Sequence, residues 1–269
     1  MPGDPVEPIT PEEALRLLLE VDRSSALFQR CREILADTLE IEPAISRSAP
    51  LEWRLPPTVE GQPAEPGNPF HFFDAIYCIN LDRRKDRWEA MERRFRKLEI
   101  EHRVRRFAAA ETPLNHHIGC ALSHRRIIAE AKRLEMRTVL VFEDDARFSP
   151  NAAQELAFSL RELHKLDWQL LYLGGFRREA PRSIPGCRYL MTPTVITCTH
   201  AIAYHHSVYD AILGAVPDNA PDVALWLLSN YAIDQFYTFF LPAARFLTWP
   251  VIATQDTILD EEEGRLFDE

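Results

Sequence analysis

The sequence is poor in the features that mark specialised protein classes. It has five cysteines in 269 residues, Cys31, Cys78, Cys120, Cys187 and Cys198, and no CxxC pair. That scatter excludes finger-type zinc spacing and a disulfide framework, and an odd set predicts reduced thiols in a cytosolic setting. The N-terminus lacks the charged start and apolar core of a signal peptide. No run reaches the ~18 apolar residues of a membrane helix. With both absent, the expectation is a cytoplasmic protein, at most peripheral to a membrane. Glycine is sparse, at 9 residues, and neither GxGxxG nor GxxxxGK[ST] occurs. A dinucleotide fingerprint and a P-loop are therefore unsupported. There is no internal repeat. The net charge of -10 argues against generic nucleic-acid binding.

That charge is unevenly spread. Residues Asp82 to Arg106 are strongly basic, and Asp256 to Glu269 are mostly acidic. A basic patch on an acidic protein suits a polyanion such as a nucleotide diphosphate; a solvated amphipathic helix face would look the same.

The stretch that organises the chain is Thr138-Val139-Leu140-Val141-Phe142-Glu143-Asp144-Asp145. A Val-rich apolar run without helical spacing reads as a strand buried on both faces, hence as part of a mostly parallel α/β sheet. Ligands bind outside the carboxyl ends of such strands, so Glu143, Asp144 and Asp145 are expected at the mouth of a crevice. Side chains alternate along a strand, which would put Glu143 and Asp145 on one side and Asp144 on the other. Three adjacent carboxylates repel one another unless a cation offsets them. Their hard oxygens suit Mg²⁺ or Mn²⁺. A solvated acidic turn is the plainer alternative.

Around this strand the chain alternates between strands and helices. Residues 1–48 read as a helical N-terminal extension, with Thr10-Pro11-Glu12-Glu13 as a capping-box start and a second helix from about Ser25 to Leu39. Two short amphipathic helices must bury their faces on the main domain, on a second copy, or on a partner. Residues 49–69 are a Pro-rich linker. The main domain, 70–269, opens with a strand at Phe72 to Leu81 and a helix to about Leu98. The polar turn between them carries Asn80, Asp82, Arg83 and Arg84. Arg and Asn there can meet phosphate and ribose, and Arg87, inside the helix, can equally pair with a neighbouring carboxylate. Val104 to Ala110 is a second strand, and Ile118 to Leu134 a helix whose Gly119 permits a close backbone approach. Further strands are expected at Trp168 to Leu173, Val195 to Tyr204 and Arg245 to Ile252, and helices at Ser149 to Leu163 and Ser207 to Leu213. Asp222 and Asp234 interrupt the apolar stretch Pro221 to Phe240 and need a partner or a role.

Three stretches together resemble glycosyltransferase family 25, which includes bacterial lipopolysaccharide galactosyltransferases and the collagen galactosyltransferase domains. They are Ile79-Asn80-Leu81 with Arg84 and Asp86-Arg87, Gly119-Cys120 with Leu122-Ser123-His124, and Val141-Phe142-Glu143-Asp144-Asp145. The resemblance implies a GT-A fold, a Rossmann-like α/β domain that binds a nucleotide sugar. It implies inverting, metal-dependent transfer of a hexose, typically galactose, from a UDP-sugar to a glycan or other hydroxyl acceptor. On that analogy Asn80, Leu81, Arg84, Glu111, Ser123, His124, Glu143 and Asp144 serve the donor. Asp145, with Glu143, holds Mn²⁺ or Mg²⁺. Asp234 is the implied base, with Asp222 second, although the family's paired acidic motif is replaced here by Asp234-Gln235. Two other readings are a non-catalytic scaffold acting through its N-terminal helices, as a homodimer or with a partner, and, ranked last, a metal-dependent phosphohydrolase.

Overall fold

The computed structural model describes residues 67–255, except 113, 114 and 242, together with 9, 10, 13, 14, 16, 17, 26, 30, 31, 33 and 34. The Pro-rich stretch up to residue 66 and the acidic tail beyond 255 lie outside the described residues.

The centre is an eight-stranded sheet. In chain order its strands are β1 (Ala75–Asn80), β2 (Val104–Ala108), β3 (Thr138–Glu143), β5 (Leu170–Tyr172), β7 (Arg182–Ser183), β8 (Leu190–Thr192), β10 (Ala201–His205) and β11 (Arg245–Thr248). Their spatial order is β2-β1-β3-β10-β5-β11-β8-β7. β1 lies between β2 and β3, parallel to both, and β5 pairs in parallel with β11. Only β10 and β8 run against the others, so the sheet is mixed but mainly one-directional. Two small ribbons accompany it: β4 (Ala146–Phe148) with β12 (Ala253–Gln255), and β6 (Phe176–Arg177) with β9 (Ile196–Thr197).

β3 is buried on both faces, as its composition predicts. Val139 and Val141 belong to one core cluster, Leu140 and Phe142 to the other. The first cluster packs under α2 (His116–Arg133), α4 (Tyr209–Ala215), α5 (Ala220–Asn230) and α6 (Ile233–Phe239). The second packs under α1 (Lys85–Lys97), through Met91 and Phe95, and α3 (Ala152–Leu163), through Leu156 and Leu160. The result is helix on both sides of one sheet, the α/β class expected. The N-terminal segment joins this body. Thr10 and Glu13 form the reciprocal capping box, at 3.2 and 3.3 Å. Ala14 and Cys31 are fully buried in the first cluster.

Some elements differ from expectation. Phe72 to Leu81 divides into a 3-10 turn at Pro69–Phe72 and the strand β1. Val195 to Tyr204, read as one strand, breaks at Cys198, whose φ of 73 is left-handed. Gly119 does make a close approach: a Cβ there would lie 2.1 Å from the Ala110 carbonyl oxygen. Gly174, beyond β5, is closer still, with a Cβ falling 1.7 Å from the Ala253 oxygen.

Candidate active site

β1, β3, β5 and β11 end at the same edge of the sheet, and the segment entering β10 starts there because β10 is reversed. This edge collects Asn80, the three carboxylates after Phe142, and Thr199. The sequence predicts a crevice at this place, and the structure shows what each carboxylate touches there.

Asp144 faces the α1 side and is buried. Asn80 Nδ2 donates to its Oδ2 at 2.7 Å, and Arg87 Nη1 donates to its Oδ1 at 2.8 Å. The pairing of Arg87 with a carboxylate is thus realised. Asn80 is itself fixed, receiving Arg106 Nε at 2.8 Å and donating to the Arg84 carbonyl at 3.0 Å.

Glu143 faces the opposite side, toward α2. Thr199 Oγ1 donates to Glu143 Oε1 at 2.6 Å, His124 Nε2 lies 3.4 Å from the same oxygen, and Cys120 Sγ 3.9 Å. Among the described residues Oε2 has no hydrogen-bond partner. Burial works to raise the Glu143 carboxyl, but His124, Thr199 and His200 outweigh it and lower it from 4.5 to about 2. His124 is fully buried and held from behind, with Tyr204 Oη 2.8 Å from its Nδ1.

Asp145 has the weakest company. Gln255 Nε2 is 3.5 Å from its Oδ1, and Arg87, engaged by Asp144, is 3.9 Å from its Oδ2. Burial raises its carboxyl, and the charges of Glu143 and Asp144 add to that against Arg87 and Gln255. The net effect is a rise from 3.8 to about 6. The expected alternation stops short of it: β3 ends at Glu143, and Asp145 sits in the turn to β4.

The other expected residues divide. Asp234 lies in the same region, in the first turn of α6. Cys198 N–H donates to its Oδ2 and Gln235 N–H to its Oδ1, each at 2.8 Å. The left-handed Cys198 therefore aims its amide at Asp234 while the next residue, Thr199, holds Glu143. Ser123 is buried; its hydroxyl donates to the Gly119 carbonyl at 2.7 Å and accepts from Ala110 N–H at 3.0 Å, latching α2 to the chain beyond β2. Arg84 is spent on Asp86, in two bonds of 2.9 and 2.7 Å. Glu111 pairs with Arg83 at 2.6 Å, both exposed. Leu81 is half-buried just after β1. Asp222 is exposed at the start of α5, where Asn219 caps the helix and donates to its carboxylate at 2.8 Å. No described contact brings it to the acidic cluster. Thr199, Arg106 and Gln255 are site residues that sequence reasoning missed. Thr199 follows an irregular bend with no propensity signal, and Gln255 arrives only through the pairing of β12 with β4.

Comparison with known families agrees with this picture. Residues 67–210 match the model of glycosyltransferase family 25 (LPS biosynthesis protein). The chain belongs to glycosyltransferase family 25. This membership accords with the GT-A-like α/β fold. Procollagen galactosyltransferase 1-A of Xenopus laevis is 32% identical over 149 residues, 44% of this chain and 24% of that protein. Inactive glycosyltransferase 25 family member 3 of Homo sapiens is 33% identical over 129 residues, 38% of this chain and 22% of that protein. The chain thus matches only about a quarter of the length of such relatives. A solved glycosyltransferase involved in glycosylation of the major capsid of PBCV-1 superposes with a TM-score of 0.41 at 12% identity, over 64% of this chain and 79% of the other. Among the described residues, no helix is long and apolar enough to cross a membrane.

Proposed function

We propose that this family 25 chain is a glycosyltransferase that moves a hexose, galactose by analogy with its relatives, from a UDP-sugar to a hydroxyl acceptor with inversion. The observation that carries the reading is the unequal treatment of the three carboxylates at the sheet edge. Asp144 is neutralised internally by Asn80 and Arg87 and fixes the turn. Glu143 is held anionic with Oε2 left open. Asp145 is desolvated, and Arg87, 3.9 Å away, is engaged more closely by Asp144, which leaves room for an added cation. Its hard oxygens, with Glu143, fit Mn²⁺ or Mg²⁺. A bound divalent ion would supply Lewis-acid stabilisation of the departing diphosphate.

The chain's own residues supply the rest. Glu143 Oε2 is placed to accept from a ribose hydroxyl. Asp234 takes the acceptor's O–H proton as that oxygen bonds to the anomeric carbon and UDP leaves with the electron pair of the broken bond. The backbone donors at Cys198 and Gln235 orient the Asp234 carboxylate. A second reading is a non-catalytic family member: Asp234-Gln235 stands where a paired acidic motif is expected, and one named relative is described as inactive. The described N-terminal residues do not favour partner binding through that segment, since Ala14 and Cys31 face the main core.

The deciding experiment is release of UDP from UDP-galactose and from other UDP-sugars, in Mn²⁺ and in EDTA, with simple sugar acceptors. Metal-dependent turnover with one preferred donor supports transfer. Donor binding with no turnover under any acceptor condition supports the non-catalytic reading.

A further inference from the structure

We propose that Cys120, His124 and Glu143 Oε1 form a zinc site beside the ion expected at Asp145, toward which only the other Glu143 oxygen, Oε2, is left. This inference does not rest on the transferase reading. The three side chains present Sγ, a ring nitrogen and a carboxylate oxygen, all within 4.8 Å of one another. Each sits on a rigid support: Cys120 and His124 are one turn apart on the same face of α2, and Glu143 ends β3.

The spacing suits a small tetrahedral ion. Zinc with bonds of about 2.0 Å to nitrogen or oxygen and about 2.3 Å to sulfur has ligand-to-ligand edges of about 3.3–3.6 Å. Here the nitrogen-to-oxygen edge is 3.4 Å, the sulfur-to-oxygen edge 3.9 Å and the sulfur-to-nitrogen edge within 4.8 Å, so the site closes on an ion by drawing the thiol and the ring together. Thr199 Oγ1, 3.7 Å from Sγ, borders the fourth position.

The surroundings are those of a ligated histidine. Tyr204 Oη engages Nδ1 at 2.8 Å in a fully buried contact, which orients the ring and leaves Nε2 toward Glu143 and Cys120. The charge balance also asks for a cation. Cys120 lies in the field of Glu143, Asp234 and Asp145, whereas Arg87, on the other face, is taken by Asp144. Metal binding would replace the thiol S–H bond by S–Zn and release one proton to solvent. A thiolate ligand selects zinc over Mn²⁺ or Mg²⁺, which suit the all-oxygen group at Asp145.

The test uses the full chain. Metal content is measured by mass spectrometry after purification and zinc loading, and Co²⁺ replaces zinc to give a thiolate-to-cobalt absorption band. The expected result is about one zinc per chain and that band. Cys120→Ser should lose the band, and Tyr204→Phe should weaken zinc affinity about 10- to 100-fold. Asp145→Asn should retain both zinc and band. A folded wild-type chain that takes up no zinc and shows no cobalt–thiolate band would overturn the proposal. So would zinc that survives Cys120→Ser, or zinc that is lost in Asp145→Asn. Zinc without any UDP-sugar binding would support this site while counting against the transferase.

Discussion

The two faces of the sheet at the end of β3 treat neighbouring carboxylates in opposite ways. On the α1 face, Asp144 meets a guanidinium at 2.8 Å and an amide at 2.7 Å. On the α2 face, Glu143 meets a hydroxyl, an imidazole and a thiol. Asp145, in the turn between, has no contact shorter than 3.5 Å among those that define it. The first face is electrostatically complete, and the rest of the edge is not. That difference is what the proposed divalent ion at Asp145 would offset. Family membership supplies the chemistry such a cation would serve.

The largest effect is expected at Asp145. Asp145→Asn should reduce Mn²⁺-dependent UDP affinity by about 100-fold or more, and should leave the melting temperature unchanged or raised, because a desolvated, repelled charge is removed. Calorimetric and thermal titrations read both. Asp234→Asn should lower kcat by about 10²–10⁴-fold with little change in donor Kd, the signature of a lost proton acceptor; a near-wild-type rate would move the base elsewhere.

Arg87→Met should leave Asp144 buried without its cation and destabilise the fold by about 1–3 kcal/mol, after discounting for the part-exposed arginine. Adding Asp144→Asn should recover part of that loss in urea unfolding. No recovery would mean that the pair is not the source of the cost.

A smaller effect concerns pH. Asp145 has a folded pKa of about 6 against an ordinary 3.8, so the folded state binds more protons between those values. Its stabilising contribution is present below 3.8 and lost as pH rises through about 6. Glu143 has the opposite sign: lowered from 4.5 to about 2, it stabilises above 4.5 and loses that contribution as pH falls through about 2. Melting temperatures across this range should therefore fall less on the alkaline side in Asp145→Asn than in wild type.

Much of the first half was legible from residues alone. The Val-rich run of β3 reads as a buried strand and is one, and its ending in Glu143-Asp144-Asp145 falls at the carboxyl edge of the sheet as expected. Gly119 and the Thr10–Glu13 capping box carry their geometry in their identities. The sequence leaves Arg87 open between a phosphate and a neighbouring carboxylate, and the structure gives it to Asp144. The second half was less legible for a physical reason. Cys198 takes a left-handed conformation that no cysteine advertises, and this bend divides an apparent strand and turns Thr199 toward Glu143. Gln255 reaches Asp145 only because β12 returns to pair with β4 across more than a hundred residues. Ser123 looked like a polar residue facing a ligand, whereas the structure gives its hydroxyl to two backbone groups.

The most direct test of the central claim is a calorimetric titration of the chain with UDP and UDP-galactose in Mn²⁺, repeated in EDTA and with Asp145→Asn. The account predicts binding in Mn²⁺ that disappears in EDTA and in the variant, with all three samples folded. Equal affinity in Mn²⁺, in EDTA and in the variant would contradict it, because the uncompensated carboxylate would then have no part in holding the donor.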